Sequence, residues 1–300
     1  LNFLVKRRNR NKKVVKSNNS VKKLLLDSFL EKLPFKLTDS QIKVLEEIKL
    51  DLTGINPMSR LLQGDVGSGK TIIAISSLLI MIEKGYQCAF MVPTEVLAEQ
   101  HYKSLIKLTN SLFISVELLT GNTSEKKRKK IRRDLENGQV NVLVGTHALF
   151  EEKVIFNALG LVIIDEQHRF GVSQRNRLLK KGENAHLLSM TATPIPRTLA
   201  LSIYGDLDVS QITELPPGRL PVATKIVSEN NLSELFKIVE KEIESGKQAY
   251  VILPLIEESE KLNLNSAINT YEKLSEEVFK QFNVGLLHGK LNPNDKNKVL

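Results

Sequence analysis

The chain has 300 residues, 41% hydrophobic and 5% aromatic with no Trp, and its 43 Lys and Arg against 34 Asp and Glu give a formal net charge of +9. That length allows two domains, the positive balance favours a polyanionic partner, and the scarcity of aromatics argues against a broad base-stacking platform. A single cysteine, Cys88, excludes an internal disulfide framework and suits a reducing, cytoplasmic setting. No apolar run reaches bilayer length, since residues 72–82 carry Ser76 and Ser77 and end at Glu83-Lys84-Gly85.

Residues 1–33 read as a basic connector and a short helix: residues 6–20 are Asn-rich and nearly free of apolar periodicity, whereas Val21, Leu24, Leu25, Phe29 and Leu33 recur at helical spacing before Pro34. The apolar segment after Met58 runs into Gly64-Asp65-Val66-Gly67-Ser68-Gly69-Lys70-Thr71, a phosphate-binding loop, and then into an apolar helical run. Its glycines let the backbone curl so that successive N–H groups face an anion, and the following helix presents its positive end to the same charge. Lys70 is expected to reach the β and γ phosphates of a nucleoside triphosphate, with the Thr71 hydroxyl on Mg²⁺.

Residues 61–62, 88–92, 116–119, 140–144, 161–164 and 186–190 behave as core strands separated by helical segments, the rhythm of an α/β fold with a parallel sheet covered on both faces. Between the third and fourth of these, Lys126-Lys127-Arg128-Lys129-Lys130-Ile131-Arg132-Arg133 fits a solvated amphipathic helix better than an import signal, with phosphate contact as an alternative. The fifth run delivers Asp165 and Glu166 to the carboxyl end of a buried strand, where open parallel sheets bind ligands. Acids so placed need a partner. Asp165 is expected to hold Mg²⁺ through its water shell and Glu166 to polarise the attacking water.

The five histidines, at positions 101, 147, 168, 186 and 288, lack metal-ligand spacing, so no structural metal is expected. Pro216-Pro217-Gly218 and Pro221 mark a linker over 216–221 between a first domain, 34–215, and a second α/β unit, 222–300, with strands expected at 222–227, 249–253 and 284–287.

Several motifs in one order resemble the RecG family of superfamily 2 helicases. They are Leu33-Pro34-Phe35 with Leu37-Thr38 and Gln41; Pro93-Thr94-Glu95-Val96-Leu97-Ala98-Glu99-Gln100-His101; Gly145-Thr146-His147-Ala148-Leu149; Asp165-Glu166-Gln167-His168-Arg169-Phe170-Gly171; and Thr191-Ala192-Thr193-Pro194-Ile195-Pro196-Arg197. The resemblance runs from about Leu33 to the last residue. It implies a RecA-like P-loop NTPase domain followed by the first part of a second RecA-like domain. Because Leu1 is not an initiator methionine and residue 300 falls in a helical pattern, the chain reads as an internal portion of a longer protein, without the family's wedge domain and the second domain's arginine finger.

By resemblance, Gln41 reads the adenine edge, against a plain helix-start residue. Gln167, His168, Thr191, Thr193 and Arg197 couple nucleotide state to DNA grip, against simple capping and turning by the threonines. Pro93, Thr94, Glu95, Gly121, Thr146 and His147 face DNA, with a structural hydrogen bond the alternative for His147. The implied activity is that of a monomeric ATP-dependent DNA helicase on branched double-stranded DNA, at stalled replication forks and recombination junctions, in repair and recombination. A nucleotide-gated DNA-binding module without efficient turnover is the rival for this length of chain.

Overall fold

The computed structural model describes residues 25–166, 170–193, 207–214, 222–228, 231–253, 260–289, 291, 295, 298 and 299, with the side chains of Val172 and residues 260–265 left aside. Residues 1–24 of the connector and helix expected over 1–33, and the linker expected over 216–221, lie outside the described residues. The chain divides into two units, Leu1–Arg219 and Leu220–Leu300.

In the first unit the apolar runs form strands β1 (Ser59–Gly64), β2 (Gln87–Met91), β3 (Val116–Leu119), β4 (Val142–Gly145), β5 (Leu159–Ile164), β6 (His186–Thr191) and β7 (Asp208–Ile212). They make one 7-stranded sheet in the order β3-β4-β2-β5-β6-β1-β7, every neighbouring pair parallel. Successive side chains of a strand point to opposite faces, and the core divides accordingly. Leu161 and Ile163 of β5 join Phe90, Ile48 and Ile73 on one face, while Val162 and Ile164 join Met91, Ile131 and Leu149 on the other. Cys88 is fully buried on the first face, and burial pushes its thiol pKa up, so it acts as core.

The helices are α1 (Leu25–Glu31), α2 (Asp39–Thr53), α3 (Lys70–Glu83), α4 (Glu95–Thr109), α5 (Glu125–Glu136) and α6 (Val172–Leu179). Helix α3 buries every residue from Ile72 to Met81, which explains why its sequence lacks a polar face. Helix α2 starts with a capping box: Thr38 Oγ1 accepts from Gln41 N at 3.3 Å and Gln41 Oε1 accepts from Thr38 N at 2.9 Å. It is tied to the sheet by Arg60 of β1, which donates to Asp51 Oδ2 (2.8 Å) and to Ser210 Oγ of β7 (2.7 Å).

Strand β7 was not among the expected strands. Its sequence Asp208-Val209-Ser210-Gln211-Ile212 is mostly polar, and only Ser210 and Ile212 are fully buried, the alternation of an edge strand. Because all seven strands run the same way, their connections fall on two opposite rims. The carboxyl rim carries Gly64–Thr71, Pro93, Thr146 and Asp165; the amino rim carries residues 54–57, Gly85 and Gly138. Among the described residues no helix is long and apolar enough to cross a membrane.

The second unit contains α7 (Leu232–Glu244) and α8 (Glu260–Lys273), the latter continuing into a π-helical turn, Leu274–Val278. Phe279 meets Phe236 edge-on at 5.7 Å and Phe282 at 6.3 Å. The strands expected at 222–227, 249–253 and 284–287 are not formed among the described residues. A strand needs a hydrogen-bonded neighbour, and these runs have none there. Ile226 and Ile252 accordingly stand exposed.

Candidate functional site

The phosphate loop links the carboxyl end of β1 to α3, which begins at Lys70 itself. Gly67 and Gly69 have φ of 76° and 90°, the left-handed region that side chains disfavour. Asp65, Val66 and Gly67 are exposed, whereas Ser68 is buried. Behind the loop, Gln41 is 2% exposed and its Nε2 donates to Ser68 O at 2.8 Å. A Cβ at Gly69 would land on that same Gln41 Nε2. Both ends of the Gln41 amide are therefore engaged, one by the helix cap and one by the loop. That geometry makes Gln41 a brace of the loop, a role its place in the sequence did not suggest.

Lys70 Nζ donates to Gly64 O (2.5 Å) and Asp65 O (2.9 Å). Burial lowers its pKa, and the carboxylates of Asp165, Glu166 and Asp65 oppose that lowering. The ammonium thus lies in the electrostatic field of the two acids at the end of β5, nearly a hundred residues away in sequence. Thr71 follows on the first turn of α3, half-buried.

Asp165 is fixed on three sides. Its N–H donates to Met91 O at 2.9 Å, its Oδ1 accepts from Glu166 N at 3.1 Å, and its Oδ2 lies 3.0 Å from His101 Nε2. Glu166 adopts a φ of 51°, a left-handed conformation that costs a non-glycine residue about 1 kcal/mol or more and that concentrates at functional sites. Asp165 and Thr71 offer hard oxygen donors of the kind Mg²⁺ takes. At the end of β6, Thr191 Oγ1 and Thr193 Oγ1 lie 2.9 Å apart and Thr191 Oγ1 accepts from Thr193 N at 3.2 Å, a closed local turn. Gln167, His168 and Arg197 lie outside the described residues.

Along the same rim, Thr94 caps α4, its Oγ1 accepting from Leu97 N at 3.3 Å, and Pro93 is half-buried beside it. The Glu95 carboxylate is taken up by the next loop, accepting from Asn122 N at 3.2 Å and from Asn122 Nδ2, against exposed Gly121. Its side chain holds the loop through exposed hydrogen bonds. Thr146 is 1% exposed, with a buried hydroxyl, so its side chain cannot serve the outward contact expected of it; His147 beside it is exposed.

Two buried contacts escaped the sequence reading. Arg128, within the basic run of α5, is buried and donates to Glu151 Oε1 (2.6 Å) and Thr120 O (2.9 Å), and Arg132 donates to Glu151 Oε2 (2.5 Å). Burial alone would raise the Glu151 pKa; the two guanidinium groups outweigh it and hold the carboxyl below its usual range. The run is amphipathic, as expected, but beside the apolar Ile131 and Leu135 its inner face carries two guanidinium groups, Arg128 and Arg132, one helical turn apart. The other is made by His101, whose Nε2 meets Asp165 Oδ2.

A DEAD/DEAH box helicase family model matches residues 38–201. The chain is 52% identical over 92% of its length to the ATP-dependent DNA helicase RecG of Synechocystis sp. strain PCC 6803, covering 33% of that protein. It is 50% identical, again over 92%, to RecG of Thermotoga maritima, covering 35% of it. A solved structure of RecG bound to a three-way DNA junction matches with a TM-score of 0.76 at 46% identity, over 92% of this chain and 36% of the other. The chain spans about a third of the length of these curated relatives. Its parallel sheet has the RecA-like form of helicase motor domains.

Proposed function

Since the chain belongs to the DEAD/DEAH box helicase family, we propose that it is the nucleotide-binding motor portion of an ATP-dependent DNA helicase acting on branched double-stranded DNA. The observation that carries this is the placement at one carboxyl rim of Lys70, at the start of α3, and of Asp165 and Glu166, just past β5, beside a loop whose Gly67 and Gly69 take positive φ. The curated relatives named ATP-dependent DNA helicase RecG, and the RecG structure on a three-way DNA junction, support the substrate class.

In this reading the triphosphate lies in Gly64–Thr71, and Lys70 exchanges its loop carbonyls for phosphate oxygens. Thr71 and Asp165 hold Mg²⁺, which when bound neutralises phosphate charge and orients the nucleotide. Glu166 accepts a proton from the attacking water, from its place just past β5 where its backbone takes a φ of 51°. Gln167, His168, Thr191, Thr193 and Arg197 pass nucleotide state to the DNA side. There Pro93, Thr94, Gly121 and His147 contact the backbone, with Glu95 and Thr146 supporting them from within. Such contacts carry little sequence information. The protein works as a monomer on chromosomal DNA in the cytoplasm, at stalled forks and recombination junctions during repair and recombination.

The test is steady-state and single-turnover ATP hydrolysis by the complete polypeptide with forked DNA, linear duplex and RNA. Forked DNA is expected to stimulate most. Glu166→Gln should keep ATP binding and lose hydrolysis by at least about 100-fold, as removal of a general base does, whereas Lys70→Ala should lose phosphate affinity as well. Equal stimulation by RNA would refute the DNA assignment, and a Glu166→Gln protein with wild-type turnover would remove Glu166 as the base.

A further inference from the structure

We propose that His101 is a positioning residue for Asp165, fixing the carboxylate that holds Mg²⁺; this rests on the reading of Asp165 as the metal acid. His101 sits on α4, a different element from the strand that carries Asp165. Its Nε2 lies 3.0 Å from Asp165 Oδ2, and both side chains are largely buried, 12% and 15% exposed. An ionised carboxylate only accepts, so Nε2 carries the proton and the ring is held in that tautomer. The ring in turn lies against Phe90 of β2, centroids 4.8 Å apart with the planes at 37°.

The consequence follows from counting donors at the carboxylate. Oδ1 takes the N–H of Glu166 at 3.1 Å and Oδ2 takes His101. Among the described residues each oxygen thus has one protein donor, and a carboxylate oxygen has a further lone pair to offer the shell of a cation. Among the described residues, the other hydrogen bond to the carboxylate comes from the adjacent residue. The backbone bond Asp165 N to Met91 O fixes the Cα and leaves χ1 and χ2 free. Outer partners of this kind typically change metal affinity or activity by about 10–100-fold when removed.

His101→Phe tests the donor separately from the packing, because a phenyl ring keeps the contact with Phe90. His101→Met removes the donor in a second, flexible shape, and His101→Gln returns an N–H donor. The complete polypeptide is titrated with a fluorescent ADP analogue without metal, then with Mg²⁺ at fixed nucleotide, alongside thermal unfolding. The expected result is a Mg²⁺ midpoint raised about 10-fold or more in His101→Phe and His101→Met, with metal-free nucleotide affinity unchanged and recovery to within about threefold in His101→Gln. A wild-type midpoint in both donor-free variants overturns the proposal. So does an equal loss of metal-free affinity, which would mark His101 as packing for the whole site. If wild-type protein binds the analogue with no Mg²⁺ dependence, the metal-acid reading itself falls and this inference with it.

Discussion

Replacing Gly69 by Ala probes the joint between Gln41 and the phosphate loop. At φ 90° an alanine has lost its preferred backbone region, a cost of about 1–2 kcal/mol. Its Cβ would also displace Gln41 Nε2. A flexible side-chain end ordinarily yields cheaply, but Gln41 is buried and bonded at both ends of its amide, at 2.9 and 2.8 Å. Moving it breaks the bond to Ser68 O and strands a buried amide, adding about 1–3 kcal/mol. The single variant is therefore expected to lose about 2–5 kcal/mol, a large share of a typical stability of about 5–15 kcal/mol. If the steric account is right, the same change in a Gln41→Ala background costs only the backbone part, about 1–2 kcal/mol. The double-mutant cycle should then show a coupling of about 1–3 kcal/mol. Chemical denaturation followed by circular dichroism is the assay, because the chain has no Trp to report by fluorescence. Costs that add to within about 0.5 kcal/mol would show that Gln41 and Gly69 do not share a strained contact.

His186 accepts from Met58 N through Nδ1 at 2.9 Å, and burial, helped by the Lys84 cation and opposed by Asp51, lowers its pKa from 6.5 to about 4. The unfolded chain takes up that proton first, so stability should fall as pH drops from about 6.5 towards 4, by up to about 3 kcal/mol from this group. His186→Asn, which keeps an acceptor, should flatten the curve there, and an unchanged slope would contradict the assignment. Arg128→Met removes the cation that joins Glu151 to Thr120 O and should cost about 3 kcal/mol, with loosening of the Gly121 loop visible in hydrogen exchange; protection equal to wild type would refute the link. DNA affinity should fall steeply with salt and vary little between unrelated duplexes, and a flat response would exclude backbone contacts.

How far the sequence speaks depends on how local the cause is. The phosphate loop, the acids after β5 and six of the seven strands were readable because each is set by a contiguous pattern: glycines at fixed spacing, a fully apolar run, a charge at its end. Strand β7 was missed because an edge strand needs few apolar residues. The expected strands of the second unit failed for the converse reason, since their apolar pattern is suitable but a ladder partner is a property of another segment. Arg128, His101 and the brace role of Gln41 depend on partners 23, 64 and 27 positions away. Spacing rules see side chains as solvated or buried, and they do not see that a buried guanidinium has found a carboxylate. Thr146 shows the same limit, as a polar residue in a recognisable motif whose backbone, rather than its hydroxyl, lies at the rim.

The separation of the sheet's two rims has a practical use. Ile55, 84% exposed, lies in the amino-rim turn that leads into β1, a strand of 6 residues ending at the phosphate loop. At about 3.3 Å per residue that puts some 20 Å of rigid, flanked strand between the turn and the nucleotide. An affinity handle or fluorophore attached at Ile55 could therefore tether the molecule to a surface without entering the catalytic rim, and it would report on the same strand whose far end grips the phosphates.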